Sequence, residues 1–349
     1  MFSLENDGII IYSMDNKKIK AIAMLSGGLD SILAARLIKE QGIELEGLNF
    51  NTVFCTCTSK DSSCMASVSA AKQLGIPLKV INMSREYLGI VKNPKHGYGS
   101  NMNPCIDCRI FTFKLAAEYM KATGAQFIVT GEVAGQRPMS QKKHTLRHIE
   151  KETGLEGLIL RPLSAKALEP TIPEINGWVD RDKLLKIQGR GRKDQIQLAV
   201  DLSVKDYPCP SGGCLLTDPG FAKKAKDLIA HDEFTLDNIN LIKSGRFFRL
   251  NDDLKAIAGR NQDENKRLLN IARQGDVIFK VLRHPGPVVL GRGVINAENT
   301  GILAGIAARY SDINNGSAAE VEYFVFPDGV KAVIKAEKSS SDLLEKIRV

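Results

Sequence analysis

Residues 21–31 read Ala21-Ile22-Ala23-Met24-Leu25-Ser26-Gly27-Gly28-Leu29-Asp30-Ser31, and a segment with helical spacing, Ile32 through Gln41, follows and is closed by Gly42. A mostly apolar run, a tight glycine turn and a helix, in that order, point backbone N–H groups and a helix N-terminus at an anion. Gly27 and Gly28 let the main chain approach a phosphate closely, and Ser26 and Ser31 add hydroxyl donors. Asp30 is itself an anion, so its place in such a loop is to cap the helix or to hold a Mg²⁺ that bridges to phosphate. The Walker phosphate loop, with its Gly-Lys-Ser/Thr ending, is not the pattern here.

Outward from this loop the chain alternates. Leu45–Phe50 reads as a strand, Cys64–Leu74 as a helix ended by Gly75, and Ile76–Ile81 as the next strand. A helix over Asp107–Lys121 ends near Gly124, Gln126–Thr130 is a strand, and the apolar run Leu158–Leu163 is a late strand of the same sheet. This alternation predicts an α/β fold, a doubly wound parallel sheet with right-handed crossovers. Ligands in such sheets sit at the C-terminal strand ends, which places residues 26–31, 50–57 and 130–141 around one site. Past Cys214 the alternation stops. Phe221–Ile229 has helical spacing, and strand-like runs follow at Val277–Val281, Val288–Leu290, Tyr323–Phe326 and Val330–Ile334. The expected organisation is an N-terminal extension over 1–19 with a short strand at 8–12, a nucleotide domain over 20–217, and a smaller α+β domain over 218–349.

Of the 349 residues, 43% are apolar and 25% charged, the balance of a soluble globular protein. No apolar run approaches the length of a membrane span, and the N-terminus lacks a basic region followed by an apolar core. The expectation is a cytoplasmic protein with no membrane partner. Lys+Arg 48 against Asp+Glu 40 gives a net charge of +8, which favours a polyanionic partner. Lys183, Lys186, Arg190, Arg192 and Lys193 cluster around Gly189 and Gly191, either as a solvated loop or as contacts to a phosphate backbone.

Seven cysteines, an odd set in a chain without an export signal, point to reduced thiols or metal ligands rather than structural disulfides. Cys105-Ile106-Asp107-Cys108 opens a helix behind Asn103-Pro104, a position that makes a thiol more nucleophilic and a better ligand. Cys209-Pro210-Ser211-Gly212-Gly213-Cys214 stands far along the chain. A C-x-x-C alone leaves zinc, a redox pair and an iron–sulfur ligand pair open. Cys55, Cys57 and Cys64 read as ordinary buried thiols, with a second metal site as the alternative. His144 and His148, four apart, read as one face of an exposed basic helix.

The string SGGLDS at 26–31 resembles the PP-loop of the ATP pyrophosphatases, enzymes that cleave ATP between the α- and β-phosphates. Residues 20 to 215 are similar to the catalytic domain of the tRNA thiolation enzymes, tRNA 2-thiouridylase and tRNA 4-thiouridine synthetase. The likeness rests on SGGLDS, on Cys64 with Leu74-Gly75-Ile76-Pro77-Leu78, and on Asn103-Pro104-Cys105-Ile106-Asp107-Cys108-Arg109. Thr130-Gly131-Glu132 stands where the 2-thiouridylase has TGH. Gly135-Gln136-Arg137-Pro138-Met139-Ser140-Gln141 is closer to the GQVxSQ string of the 4-thiouridine synthetase, and Ser211-Gly212-Gly213-Cys214 resembles the STGxC motif.

This resemblance implies an adenine nucleotide α-hydrolase-like fold that binds ATP and Mg²⁺, with Ser26, Gly27, Gly28, Asp30, Ser31, Phe50, Gly131 and Gln136 at the nucleotide. It implies that a tRNA uridine is adenylated with release of pyrophosphate, and that sulfur then displaces AMP. Asp30, Cys105, Cys108 and Cys214 would be the catalytic residues, and a cysteine desulfurase, a sulfur carrier or free sulfide the donor. Two sulfur chemistries stay open: a persulfide on Cys214 resolved by a C-x-x-C cysteine, or a 4Fe–4S cluster on Cys105, Cys108 and Cys214. In the tail, His284-Pro285-Gly286-Pro287-Val288-Val289-Leu290 resembles the RNA-binding domain of the NFACT proteins, which makes Arg283, His284 and Arg292 candidate phosphate contacts. Two other readings are a PP-loop enzyme with a non-tRNA acceptor (an amidotransferase or a small-molecule sulfur inserter) and an RNA-binding protein with a vestigial nucleotide site.

Overall fold

The computed structural model describes residues 18–55, 63–207 and 214–349. The expected strand at 8–12, Cys57 and Cys209 lie outside the described residues, as does the side chain of Cys64. The described residues form two compact units. One takes 18–50, 63–81 and 109–207, and the other takes 51–55, 82–108 and 214–349.

The first unit is built on a parallel sheet. In chain order its elements are β1 (Lys20–Met24), α1 (Leu29–Lys39), β2 (Glu44–Asn51), α2 (Ser63–Leu74) and β3 (Leu78–Asn82). After α3 (Ser84–Lys92), which belongs to the second unit, come α4 (Cys105–Thr123), β4 (Phe127–Thr130), α5 (Lys143–Thr153), β5 (Ile159–Leu160), α6 (Ile172–Ile175) and α7 (Lys193–Asp201). The strand order is β3-β2-β1-β4-β5, with β1 parallel to both β2 and β4, and β4 parallel to β5. Helices cover the sheet, so β4 is buried along its whole length and reads as an unbroken apolar run. Leu29, Ile32, Leu33, Ala35 and Ile38 of α1 pack into the same core. The run expected at 158–163 yields only the two residues of β5. Arg161 turns inward to pair with Glu132 and Glu150, and Pro162 has no N–H for a ladder.

The second unit carries α8 (Pro219–Ala230), α9 (Leu236–Ile242), β6 (Arg246–Asn251), β7 (Leu254–Ala258), α10 (Gln262–Ile271) and β8 (Val277–Val281). It continues with β9 (Val288–Gly293), α11 (Ala297–Arg309), β10 (Ala319–Val325), β11 (Ala332–Ala336) and α12 (Ser341–Ile347). Its six strands run β11-β10-β8-β9-β7-β6, with every adjacent pair antiparallel. The alanine-rich α11 lies against one face, where Leu303, Ala304, Ile306, Ala307 and Ala308 join Phe279, Val289 and Val321 in a closed core. No helix of the described residues is long and apolar enough to cross a membrane.

Buried charges in this unit are paired. Arg249 bonds Asp227 and Glu233, and Lys255 reaches Glu233 at 2.6 Å. Arg292, one of the expected phosphate contacts, is a correction. It is 3% exposed, its Nε and Nη2 donate to the two carboxylate oxygens of Asp276 at 2.8 and 2.7 Å, and Nη1 donates to Asn238. A guanidinium consumed by an internal carboxylate is not available to a phosphate. Arg283 and His284 remain on the surface, with Arg283 3.6 Å from Glu320.

Arg292→Ala should therefore destabilise this unit by about 3–5 kcal/mol, because it strands the buried Asp276 carboxylate, whereas the exposed Arg283→Ala should stay within about 0.5 kcal/mol. Urea unfolding of the two variants checks the contrast. Lys224, held by the Ile242 and Gly245 carbonyls, has its ammonium pushed down to about 8, first by burial and then by the charge of Arg260. Folded protein then binds fewer protons than unfolded protein between about 8 and the ordinary 10.5, so stability rises with pH across that window. Lys224→Met should remove the rise, measured as the change in unfolding free energy between the two ends of the window.

Candidate nucleotide and thiol sites

In the first unit the strand order reverses between β1 and β4, so the loops after these strands flank the crevice at the sheet's C-terminal edge. The loop after β1 is shaped by main-chain contact. Gly27 has φ +82°, and a Cβ there would stand 2.5 Å from the Ala66 carbonyl carbon and 2.6 Å from the Ser67 nitrogen. Gly131, just past β4, lies against the other side, and a Cβ on it would meet the Asp30 carbonyl and the Ser31 nitrogen at 2.5 Å. Only glycine fits either place.

No side chain caps α1; the Ser31 and Ile32 N–H groups donate to the Gly28 carbonyl, and those of Leu29 and Asp30 are left for a ligand. Asp30 is thus not the cap. Its Oδ2 accepts from the Gln136 amide at 3.1 Å, while Oδ1 is buried with no partner. An orphaned carboxylate oxygen beside free helix N–H groups suits a cation that also touches phosphate. The Ser31 hydroxyl donates to the Gly28 carbonyl at 2.8 Å and lies 3.2 Å from the Ser26 hydroxyl, so the serines set the loop's shape before any ligand arrives. Phe50 is half-buried near the end of β2. Asn49, one residue earlier, donates to the Leu25 carbonyl at 2.8 Å and fixes the entry to the loop.

Residues 133–141 form the second wall. The buried Gln141 closes this loop on itself: its side-chain oxygen accepts from the Arg137 N–H at 3.0 Å and its carbonyl from the Gly135 N–H at 2.7 Å. The basic segment is stitched to this wall, since Gln188 pairs with Ala134 and the Gly189 N–H donates to the Ala134 carbonyl at 2.8 Å. Lys183, Lys186, Arg190 and Lys193 are exposed along it. Arg192 is half-buried with its Nε unpartnered, and Gln195 is fully buried with neither amide atom bonded. Glu132, where TGH has histidine, is buried between Arg109 at 3.3 Å and Arg161 at 3.1 Å, and Arg161 also pairs with Glu150. Sequence reading missed this network, whose only local signal is an acidic residue at the end of an apolar strand.

The thiols belong to the second unit, where three separate segments are laced by two main-chain hydrogen bonds and one from a side-chain amide. The Leu215 N–H donates to the Phe54 carbonyl at 2.8 Å, the Met102 N–H to the Leu216 carbonyl at 3.0 Å, and the Asn101 amide to the Thr217 carbonyl at 2.7 Å. Cys55 and Cys214 oppose each other in an isolated antiparallel bridge. Within the C-x-x-C, Asp107 anchors the preceding loop by accepting from the His96 main chain and contacting its ring nitrogen Nδ1, both at 3.0 Å. Tyr87, on α3, is 1% exposed, and its hydroxyl faces Cys108 without closing a hydrogen bond of ordinary geometry. Burial, then the thiols of Cys108, Cys214 and Cys105, push its phenol far up, so the hydroxyl keeps its proton.

Cys55, Cys105, Cys108 and Cys214 are half-buried and none is in a disulfide. Among the described residues no three of these sulfurs lie within 4.8 Å of one another, whereas a zinc ion bound at about 2.3 Å per sulfur would draw them closer. His144 and His148 are both exposed on α5.

Residues 19–180 match the tRNA methyl transferase HUP domain, and residues 245–347 match the NFACT protein RNA binding domain. The tRNA-specific 2-thiouridylase MnmA of Streptococcus pyogenes serotype M49 is 32% identical over 169 residues, 45% of this chain and 44% of that protein. The enzyme of the same name from Geotalea uraniireducens is 26% identical over 242 residues, 62% of this chain and 64% of that protein. The chain thus spans about half the length of the curated relatives it matches. A crystal structure of a 4-thiouridine synthetase–RNA complex with bound ATP aligns at 21% identity over 62% of this chain and 53% of that one, with a TM-score of 0.36. The two family matches thus fall on separate stretches of the chain, one on the parallel-sheet region and the other within the C-terminal antiparallel-sheet region.

Gly131→Ala should weaken ATP binding at least about tenfold, because the added methyl group displaces the Asp30–Ser31 peptide and with it the α1 N-terminus. Titration calorimetry with a non-hydrolysable ATP analogue checks it, and Gly301→Ala, in α11 with open space around its Cβ position and no positive φ, is the control.

Proposed function

We propose that this protein is an ATP-dependent tRNA sulfurtransferase, which adenylates a uridine with release of pyrophosphate and then exchanges the activated oxygen for sulfur. The observation that carries this reading is the tie between the segments of Cys105–Cys108 and Cys214, distant in sequence: the Met102 N–H donates to the Leu216 carbonyl at 3.0 Å. An enzyme that formed an amide would have no use for such a set of thiols.

The nucleotide step falls to the first unit. The uncapped α1 N-terminus and the Gly27–Gly28 turn would receive the phosphates, their N–H donors already aimed before charge develops. Asp30 would hold Mg²⁺ through its unpartnered oxygen while Gln136 fixes the carboxylate plane. Mg²⁺ would supply charge neutralisation between the phosphates. Gly131 keeps the crevice narrow at this point, and Arg190, Arg192 and Lys193, tied to the adjacent loop, would bind phosphate of the nucleic acid. With the NFACT-type domain supplying Arg283 and His284 at its surface, tRNA is the polyanionic partner this reading assigns.

For sulfur handling, Cys105, Cys108 and Cys214 are the thiols in play. Their half-buried placement and their number suit the three cysteine ligands of a 4Fe–4S cluster. Such a cluster would supply an iron with an open coordination position for sulfide. Tyr87, kept neutral, offers the sulfur a hydrogen-bond donor rather than a competing anion.

Asp30→Ala should abolish ATP–pyrophosphate exchange, by about a hundredfold or more, with tRNA affinity unchanged; loss of both would make Asp30 a structural residue. Cys214→Ala should stop thiolation and spare the exchange, and thiolation that survives in that variant would refute the assignment of Cys214. Purification without oxygen followed by iron and sulfide assays should give about four irons per chain. An iron-free protein that still thiolates tRNA would replace the cluster by a persulfide on Cys214.

A further inference from the structure

Cys55 and Cys214 face each other across an antiparallel bridge. The neighbouring hydrogen bond, from the Leu215 N–H to the Phe54 carbonyl, lies one residue beyond each cysteine. That placement makes the cysteines a non-hydrogen-bonded pair, the kind in which Cα atoms stand about 4.5 Å apart and both side chains leave the same face. A disulfide spans Cα separations of about 4.4–6.8 Å, so this pair can close without moving the main chain.

The surroundings hold the pair in place. The Thr52 N–H donates to the Cys55 sulfur at 3.4 Å and the Thr52 hydroxyl lies 3.7 Å from it. Phe54, fully buried, is wedged among the rings of Tyr87, Phe221 and Phe234 at 5.9, 6.1 and 6.1 Å between centroids. On the other side of the bridge, the Thr217 hydroxyl and N–H both donate to the Cys214 carbonyl and close a short 3-10 turn. Cys105 and Cys108 stand in the first turn of α4.

We propose that Cys55 is the fourth thiol of the sulfur site and the disulfide partner of Cys214. Its functional consequence rests on the reading of Cys214 as a sulfur-handling residue; the pairing itself rests on strand geometry. With an oxidised dithiol as co-reactant, each cysteine gives up a proton, a bond forms between their sulfurs, and the external disulfide bond breaks. The co-reactant leaves as a dithiol carrying the two electrons. If Cys214 bears a persulfide, attack by the Cys55 thiolate on the inner sulfur forms the same bond and expels the outer sulfur as hydrosulfide. In both cases Cys214 can neither ligate iron nor carry sulfur until a dithiol reduces it. The pair closes the site on oxidation and reopens it on reduction.

The test uses the full-length protein, stripped of iron with a chelator and equilibrated without oxygen against mixtures of oxidised and reduced dithiothreitol. Remaining thiols are alkylated and linked peptides identified by mass spectrometry. The expected result is a peptide joining Cys55 to Cys214, with loss of alkylation at those two positions. Cys55→Ser should lose the link and leave Cys214 alkylated under oxidising conditions, while Cys105→Ser and Cys108→Ser keep it. A Cys214 linked to Cys105 or Cys108 in the unsubstituted protein, or equally alkylated in both extremes of the mixture, overturns the proposal whether or not the variants fold. Neither ATP nor tRNA enters this assay, so a protein that forms the link yet thiolates no tRNA refutes the functional reading alone.

Discussion

The contact on which the nucleotide site depends is main chain against main chain: Gly131 at the end of β4 pressed onto the Asp30–Ser31 peptide at the start of α1. A parallel sheet delivers its strand ends to one edge, but delivery alone leaves a gap the width of a side chain. Removing the Cβ at 131 closes that gap. The Gln136 amide, carried a few residues further on, then reaches the Asp30 carboxylate. The same logic operates at Gly27, which lies against Ala66 and Ser67. The loop is held from two sides by peptides rather than side chains, and peptides have no rotamers to lose. Its empty N–H groups are therefore presented without an ordering cost when an anion arrives.

The thiol site follows a different principle. Its parts come from three segments that share no regular element, so alignment has to come from single hydrogen bonds, from 215 to 54, 216 to 102 and 217 to 101. Each bond alone is worth about 1 kcal/mol, too little to fix a segment, yet three at successive residues of the turn after Cys214 hold it in place together. The aromatic cluster around Phe54 adds the apolar floor on which these segments rest. Tyr87 belongs to that floor, with its one polar atom turned to the sulfurs.

What the sequence made legible was what is local. The Gly-Gly turn, the alternating strands and helices up to residue 130, and the C-x-x-C at a helix start all depend on neighbours within a few positions, and the structure has them where the residues place them. The second unit was harder. β7 is buried at every residue and includes Lys255, so it shows no alternation, and α11 is too rich in buried alanine to display an apolar stripe. Arg292 looked like a phosphate ligand because a buried Arg–Asp pair and an exposed arginine are written alike; Asp276, sixteen positions away, decides between them. The approach of Cys55 to Cys214 spans more than 150 residues and leaves no spacing to read.

Glu132 shows how such long-range pairing changes the meaning of a single letter. In the motif it occupies, histidine would bring a neutral or singly charged ring. Here a carboxylate stands 1% exposed at its side chain, with Arg109 and Arg161 at 3.3 and 3.1 Å, and removing either partner would leave a buried group unpaired. Arg161 is buried in turn and is balanced by Glu150 from α5. Two acids and two bases thus form one neutral unit, and no member can be exchanged for histidine without stranding a charge in the interior. The substitution at this place is therefore a property of the whole network. It also explains why β5 stops after two residues, since Arg161 must leave the strand to complete the set.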